Sequence, residues 1–152
     1  MFMGFLGTHS LKLDDKGRFF VPAKYRDQLT EGLVITRGHE KSLIIYPAEA
    51  FQAQAMKILS KETGLARVRA ERRMFASAAS DETPDKQGRL TITPALREYA
   101  KLDRDIVVTG NLDSFEVWDA AAWQDYADSE EDDYAAMDTD FRTPTPPTEP
   151  VR

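Results

Sequence analysis

The chain has 152 residues, a net charge of −6 and no cysteine, which allows one compact domain or two small ones and excludes a disulfide framework, a thiolate nucleophile and a cysteine-ligated metal. No stretch approaches the ~20 apolar residues of a membrane-spanning helix, and Met1-Phe2-Met3-Gly4-Phe5-Leu6 lacks the basic start and cleavage site of a signal peptide, so a cytoplasmic protein without membrane contact is expected. The acidity is local: residues 128–152 carry eight acids and two bases, while the other 127 residues hold 18 of each, and this distribution, not the sum, bears on a polyanionic partner.

Thr8-His9-Ser10-Leu11-Lys12-Leu13 alternates as a strand, Asp14 to Gly17 is turn chemistry, and Arg18 to Val21 is the return strand of a β-hairpin with a basic tip. Pro22 suits the first turn of a helix whose apolar face is Val21, Tyr25 and Leu29. Leu33 to Thr36 and Leu43 to Tyr46 are strands, and Pro47 opens a helix with the stripe Phe51, Ala55, Ile58 and Leu59. A break at Thr63-Gly64 leads to a basic helix over 65–75 carrying Arg67, Arg69, Arg72 and Arg73. A weaker strand over 76–83 enters a second turn, Asp85 to Gly88, and Leu90 to Ile92 leaves it. Thr93 is a good N-cap with Pro94 behind it, and Leu96 and Tyr99 face inward. Ile106 to Thr109 and Phe115 to Trp118 are strands, and Asp119 caps a helix carrying Trp123 and Tyr126. Beyond it, an acidic run and four of the eight prolines cannot bury enough apolar surface to order themselves, so 128–152 is expected to be a disordered acidic, Pro-rich tail.

The chain therefore states one pattern twice. Asp14, Gly17, Arg18 and Arg26 recur as Asp85, Gly88, Arg89 and Arg97, 71 residues on, and each half reads ββαββα. Two copies are too few for a solenoid and predict an α+β, mainly β body of two halves about a pseudo-two-fold axis.

Arg18 and Arg89 each follow a turn glycine. Arginine forks to guanine O6 and N7 or to phosphate, and a two-stranded ribbon fits the major groove of DNA. A plainer reading pairs Asp14 with Arg18 and Asp85 with Arg89 to lock the turns, and the two are compatible: the acid can position an arginine whose remaining donors face a ligand. Lys16 and Lys86 lie within the turns and suit phosphate. Lys12 flanks the first turn and is as well placed for phosphate as for ordinary surface duty; Lys24 reads as a surface lysine. Arg69 and Arg73 share a helix face and fit a protomer interface better than DNA. His9 and His39, 30 residues apart, make no metal or base constellation, Asp14-Asp15 is held ionised by its basic neighbours, and there is no P-loop, G-x-S-x-G or H-E-x-x-H. No catalytic residue, metal, cofactor or small-molecule substrate is expected, and the protein is not read as an enzyme.

Leu13-Asp14-Asp15-Lys16-Gly17-Arg18, then Val21-Pro22-Ala23-Lys24-Tyr25-Arg26, Gly88-Arg89, Pro94-Ala95-Leu96-Arg97-Glu98-Tyr99-Ala100 and Glu116-Val117-Trp118-Asp119 together resemble the bacterial MraZ family over residues 5–126. The resemblance implies two SpoVT-AbrB domains, 5–53 and 76–127, joined by a helical segment over 54–75, each built on a D-x-x-x-R motif that here matches Asp14…Arg18 and Asp85…Arg89. It implies a swapped-hairpin, AbrB-like β-barrel and a ring-shaped homo-oligomer. It also implies a nucleoid-associated regulator of transcription that binds short direct repeats of double-stranded promoter DNA and controls the division and cell-wall gene cluster. The residues before Phe5-Leu6-Gly7 and the acidic tail depart from the shared pattern. An AbrB-like antitoxin using its tail to hold a toxin, or a sequence-tolerant nucleoid protein, is the nearest alternative; an assembly scaffold that does not bind DNA is the alternative of another class.

Overall fold

The computed structural model describes residues 3–137. Its first strands, β1 (Thr8–Lys12) and β2 (Arg18–Phe20), flank the Asp14–Gly17 turn without pairing with each other, so the hairpin expected there is a turn and not a ladder. Asp14 N donates to Arg18 O at 2.9 Å and Gly17 N to Asp14 O at 3.0 Å, and the strands then part into different sheets. After β2 come α1 (Ala23–Arg26), which continues as a 3-10 turn (Asp27–Leu29), then β3 (Leu33–Arg37), β4 (Leu43–Pro47) and α2 (Ala48–Leu59). The second half repeats the order as β5 (Ser80–Glu82), β6 (Arg89–Thr91), α4 (Pro94–Tyr99), β7 (Asp105–Gly110), β8 (Phe115–Asp119) and α5 (Ala120–Ala136), with α3 (Ala66–Ser77) between the halves. The doubled ββαββα order is as expected.

Strand pairing carries the pseudo-two-fold axis. One sheet runs β1-β7-β8-β4-β3-β5 and the other is β2-β6, all antiparallel. Exchanging each strand for its counterpart reverses the first order and leaves the second unchanged. Each half lends its first strand to the other: β1 pairs with β7 and β5 with β3. Like strands meet on the axis, β4 with β8 and β2 with β6. Neither half could close its own core, which is why the duplication yields one body and not two beads. β1 and β5 end the larger sheet as edges, so no closed barrel is formed among the described strands.

The core is built by strands. Strands outnumber α-helices eight to five among the described residues, and the long helices α2, α3 and α5 contribute only Ile58 and Val68 to the buried set. Phe19, Ile35, Ile45, Leu90, Ile92, Val108 and Val117 are all 1% exposed or less, and Phe5, Tyr25 and Phe115 meet with ring centroids 5.0–5.1 Å apart. Thr93 caps α4 by accepting from Leu96 N, and Asp119 caps α5 by accepting from Ala122 N, both as expected. Two further expectations fail. Leu59 is 50% exposed, because α2 turns only Ile58 inward. The acidic run is helical over 128–136: α5 simply continues, capped at its start and solvated along its acidic face, so order there needs no buried side chain. The rest of the tail, 138–152, lies outside the described residues.

Both turn glycines have positive φ, +78° at Gly17 and +82° at Gly88, and a Cβ on Gly17 would lie 2.7 Å from the Arg97 guanidinium and 3.0 Å from Ile92 O. Gly17→Ala is expected to lower stability by about 1–3 kcal/mol in urea melts, while Gly64→Ala, where a Cβ meets nothing within 4 Å, leaves the midpoint in place.

Candidate nucleic-acid interface

The two Asp-x-x-x-Arg turns are built alike from the backbone outward. Asp14 Oδ1 accepts from the amides of Lys16 (2.9 Å) and Arg18 (2.8 Å), and its Oδ2 accepts from Arg18 Nε (2.7 Å). Asp85 does the same with the amides of Gln87 (2.9 Å) and Arg89 (2.8 Å) and with Arg89 Nε (2.9 Å). One carboxylate thus folds the turn and orients the arginine that follows it. The Asp–Arg pairing read as the plainer alternative is present in both copies. It occupies only Nε, and among the described residues neither arginine makes a further side-chain hydrogen bond, so the Nη groups are uncommitted. The backbone amide of Arg18 is the main influence holding the Asp14 carboxyl below its ordinary range, with the guanidinium adding to it; Arg89 acts likewise on Asp85.

Register then fixes where the arginines point. Arg18 lies opposite Thr91 and Phe20 opposite Arg89, and alternate residues of a strand share a face. Arg18, Phe20, Arg89 and Thr91 therefore form the outer face of the β2-β6 ribbon, and Phe19 and Leu90, each 1% exposed, form the inner one. The arginine backbones sit two residues apart along the ribbon, about 7 Å at the rise of a strand. Their side chains are 28% and 24% exposed: steadied on the surface, not sealed within it.

Both arginines line one open cleft of about 1260 Å³ between the ribbon, β1 and the end of α4. Lys12, Arg97, Lys101 and Arg104 bring its cations to six, against the four carboxylates of Asp14, Asp15, Glu98 and Asp103. Lys12 is ion-paired with Asp105, both side chains mostly exposed; such a surface pair is weak and readily exchanged for another anion. Lys16 and Lys86 stand exposed at the turn tips, outside the cleft and without a carboxylate partner among the described residues. Gly17 and Gly88 are buried beneath the tips.

Three contributors escaped the sequence reading. Phe20 is 58% exposed on the ribbon between the arginines; the alternation Arg18-Phe19-Phe20 could have placed it there had the partner strand been known. Arg97 packs its guanidinium on Gly17 and donates from Nε to Ile92 O, and Arg26 mirrors it on Gly88 and Val21 O. Their recurrence was visible in the repeat, but not that each crosses to the opposite half's turn. On α3, Arg69 donates to Thr63 O at 2.7 Å, while Arg67, Arg72 and Arg73 are exposed and outside the cleft. His9 lies edge-on against Tyr25, and no group of three or more acids or histidines among the described residues is placed to hold a metal.

A family model described as "MraZ protein, putative antitoxin-like" matches the chain twice, over residues 4–72 and 74–142. A protein of Cutibacterium acnes named "Transcriptional regulator MraZ" is 51% identical over 133 residues, covering 88% of this chain and 94% of its own. Proteins of the same name from Salinispora arenicola and Thermobifida fusca are 48% and 46% identical, each covering 88% of this chain and 94% and 93% of their own.

Because the Asp14 and Asp85 carboxyls titrate below their unfolded value of 3.8, the order they confer is complete above that pH and is lost as the pH falls through the lower, folded value. In an acid titration followed by NMR, the amides of Lys16, Arg18, Gln87 and Arg89 should hold their shifts at pH 4 and above and move together below it. Movement centred above pH 4 would contradict the arrangement.

Proposed function

The chain belongs to the MraZ family, and from that premise we propose that it regulates transcription by sequence-specific binding of double-stranded DNA, with the β2-β6 ribbon and its cleft as the reading surface. One observation carries the proposal: the two repeated arginines, remote in sequence, share one outward face of one ribbon, each gripped at Nε by an aspartate with its Nη fork left over. A two-stranded ribbon is an established major-groove reader, and an arginine fork matches guanine. Arg18 and Arg89 read bases, and Phe20 supplies apolar contact suited to a thymine methyl. Lys16, Lys86 and Lys12, the last by exchanging Asp105 for phosphate, hold the backbone.

One protomer offers a small footprint, so several are needed. A ring-shaped homo-oligomer presenting successive ribbons to successive direct repeats in a promoter gains affinity by avidity. The division and cell-wall gene cluster as target, and a cytoplasmic, nucleoid-associated site of action, belong to the same proposal, as does the AbrB-like swapped-hairpin description of the fold, which the exchange of β1 and β5 between the halves supports. The alternative of an antitoxin rests on the acidic tail, of which 138–152 lie outside the described residues, and on the wording of the family description; no feature of the cleft favours it.

The proposal is tested on the chain's own upstream DNA against scrambled DNA across a salt series. Affinity should fall steeply with salt. Arg18→Ala or Arg89→Ala should lose about 1–3 kcal/mol of discrimination, and Lys16→Ala should weaken both DNAs alike. Unchanged preference in both arginine variants would refute the assignment.

A further inference from the structure

The pseudo-symmetry leaves one docking position filled by α3 in the first half and only partly filled in the second. In the first half α3 leads into β5 and covers the outer side of β3 and β4. Phe75 stacks on Phe51 at 5.5 Å and 7° and lies against Tyr46, Thr36 Oγ1 donates to Phe75 O at 2.6 Å, and Arg37 Nη1 donates to Met74 O at 2.9 Å. By register the counterparts of Thr36, Ile44 and Tyr46 are Thr109, Glu116 and Trp118, and Trp123 follows Trp118 at the spacing at which Phe51 follows Tyr46. The segment leading into β1 is the counterpart of α3, yet its described residues turn elsewhere: Phe5 N donates to Leu112 O at 2.8 Å and Gly110 N to Gly7 O at 2.8 Å. Tyr126 of α5 takes the place of Phe75, 4.9 Å from Trp118. What remains is a cavity of about 380 Å³ bounded by Glu40, Thr109, Glu116, Trp118, Trp123 and Tyr126, and Thr109 has no hydrogen-bond partner like that of Thr36 among the described residues.

The chemistry of the open position differs from the filled one in a telling way. Glu116 stands where Ile44 stands, accepts from Trp118 Nε1 at 3.2 Å, and has Glu40 beside it. Burial, and then the charge of Glu40, push the Glu116 carboxyl above its ordinary range. Two carboxylates and the half-buried rings of Trp123 and Tyr126 around a cavity make a receptor for a guanidinium, by charge-assisted hydrogen bonds and by contact with aromatic rings. The molecule carries the complement on α3 itself. Arg67, Arg72 and Arg73 are exposed and form no ion pair among the described residues, beside Leu65 and Met74, which are 48% and 53% exposed.

We infer that the Glu40–Glu116–Trp123 cavity receives the exposed arginines Arg72 and Arg73 of α3 from a second copy of this chain. The donor helix and the cavity are different surfaces of the chain, so the contact is head-to-tail, and repeated it closes into a ring or continues as a filament. This deepens the oligomer of the proposed function and rests on it, but it makes no use of the DNA-reading arginines.

The test is native mass spectrometry of the full chain and of two one-sided variants, each checked for folding by circular dichroism. Glu40→Arg spoils only the cavity, and the double variant Arg72→Ala, Arg73→Ala spoils only the helix's exposed arginines. Each alone should fall from the oligomer to the single chain. Their equimolar mixture, which retains one intact contact per pair, should give a one-to-one heterodimer and nothing larger. An intact oligomer in both variants overturns the contact while leaving the ring standing, and a mixture that stays monomeric overturns the contact as well. A wild-type chain that is monomeric at every concentration overturns both the contact and the ring. Should a chain ending at Met137 lose the oligomer while Glu40→Arg keeps it, residues 138–152 and not α3 are responsible, and the inference fails.

Discussion

The structure depends on a reciprocal clasp between its two turns. Gly17 O accepts from Ile92 N at 2.8 Å, and Gly88 O accepts from Val21 N at 2.9 Å. Against each of these glycines the opposite half lays an arginine, Arg97 on Gly17 and Arg26 on Gly88. The clasp fixes β2 against β6, and that register sets everything the ribbon displays. Only glycine fits beneath the clasp, because the turn requires positive φ and the guanidinium sits where a Cβ would be. The repeated glycine is thus a matter of tertiary contact as much as of turn geometry.

Electrostatics follow from the same arrangement. A protein with a surplus of acids presents a cleft with a surplus of bases because charge is sorted by position and not averaged. The aspartates of the turns are not opponents of a polyanionic ligand. By accepting two amides and one Nε each, they hold a long, flexible side chain in a single orientation, which reduces the entropy an arginine loses on meeting a ligand. The cost is one donor out of five on each guanidinium.

The two halves have diverged where they no longer need to agree. Core positions keep their apolar character, as with Ile35 and Val108 or Ile45 and Val117, since either would leave a void or a clash if changed in size or polarity. The outer aromatic positions keep their rings but change their covering, Phe75 of α3 over Tyr46 and Tyr126 of α5 over Trp118, and Ile44 has a carboxylate, Glu116, as its counterpart. A symmetric fold whose two flanks are covered by different elements is polar, and that polarity is what a head-to-tail assembly requires.

Much of this was readable from the chain. The doubled ββαββα order, the caps at Thr93 and Asp119, and the paired roles of Asp14 with Arg18 and Asp85 with Arg89 are local matters, set by turn chemistry, capping and alternation within a few residues. The helical start of the acidic run was missed because composition argues about burial, and a capped, solvated helix buries almost nothing. The partners of the strands could not be read, because a strand's alternation says which side chains share a face but not which strand lies beside it. Whether β1 turns back on β2 or crosses to β7, whether Arg97 reaches Gly17, and whether two arginines 71 residues apart line one cleft are all long-range pairings. The sequence by itself determined the repeated parts and their local chemistry; only the tertiary structure decided how they interlock, since that choice is made by burial shared between the halves and leaves no periodicity in either.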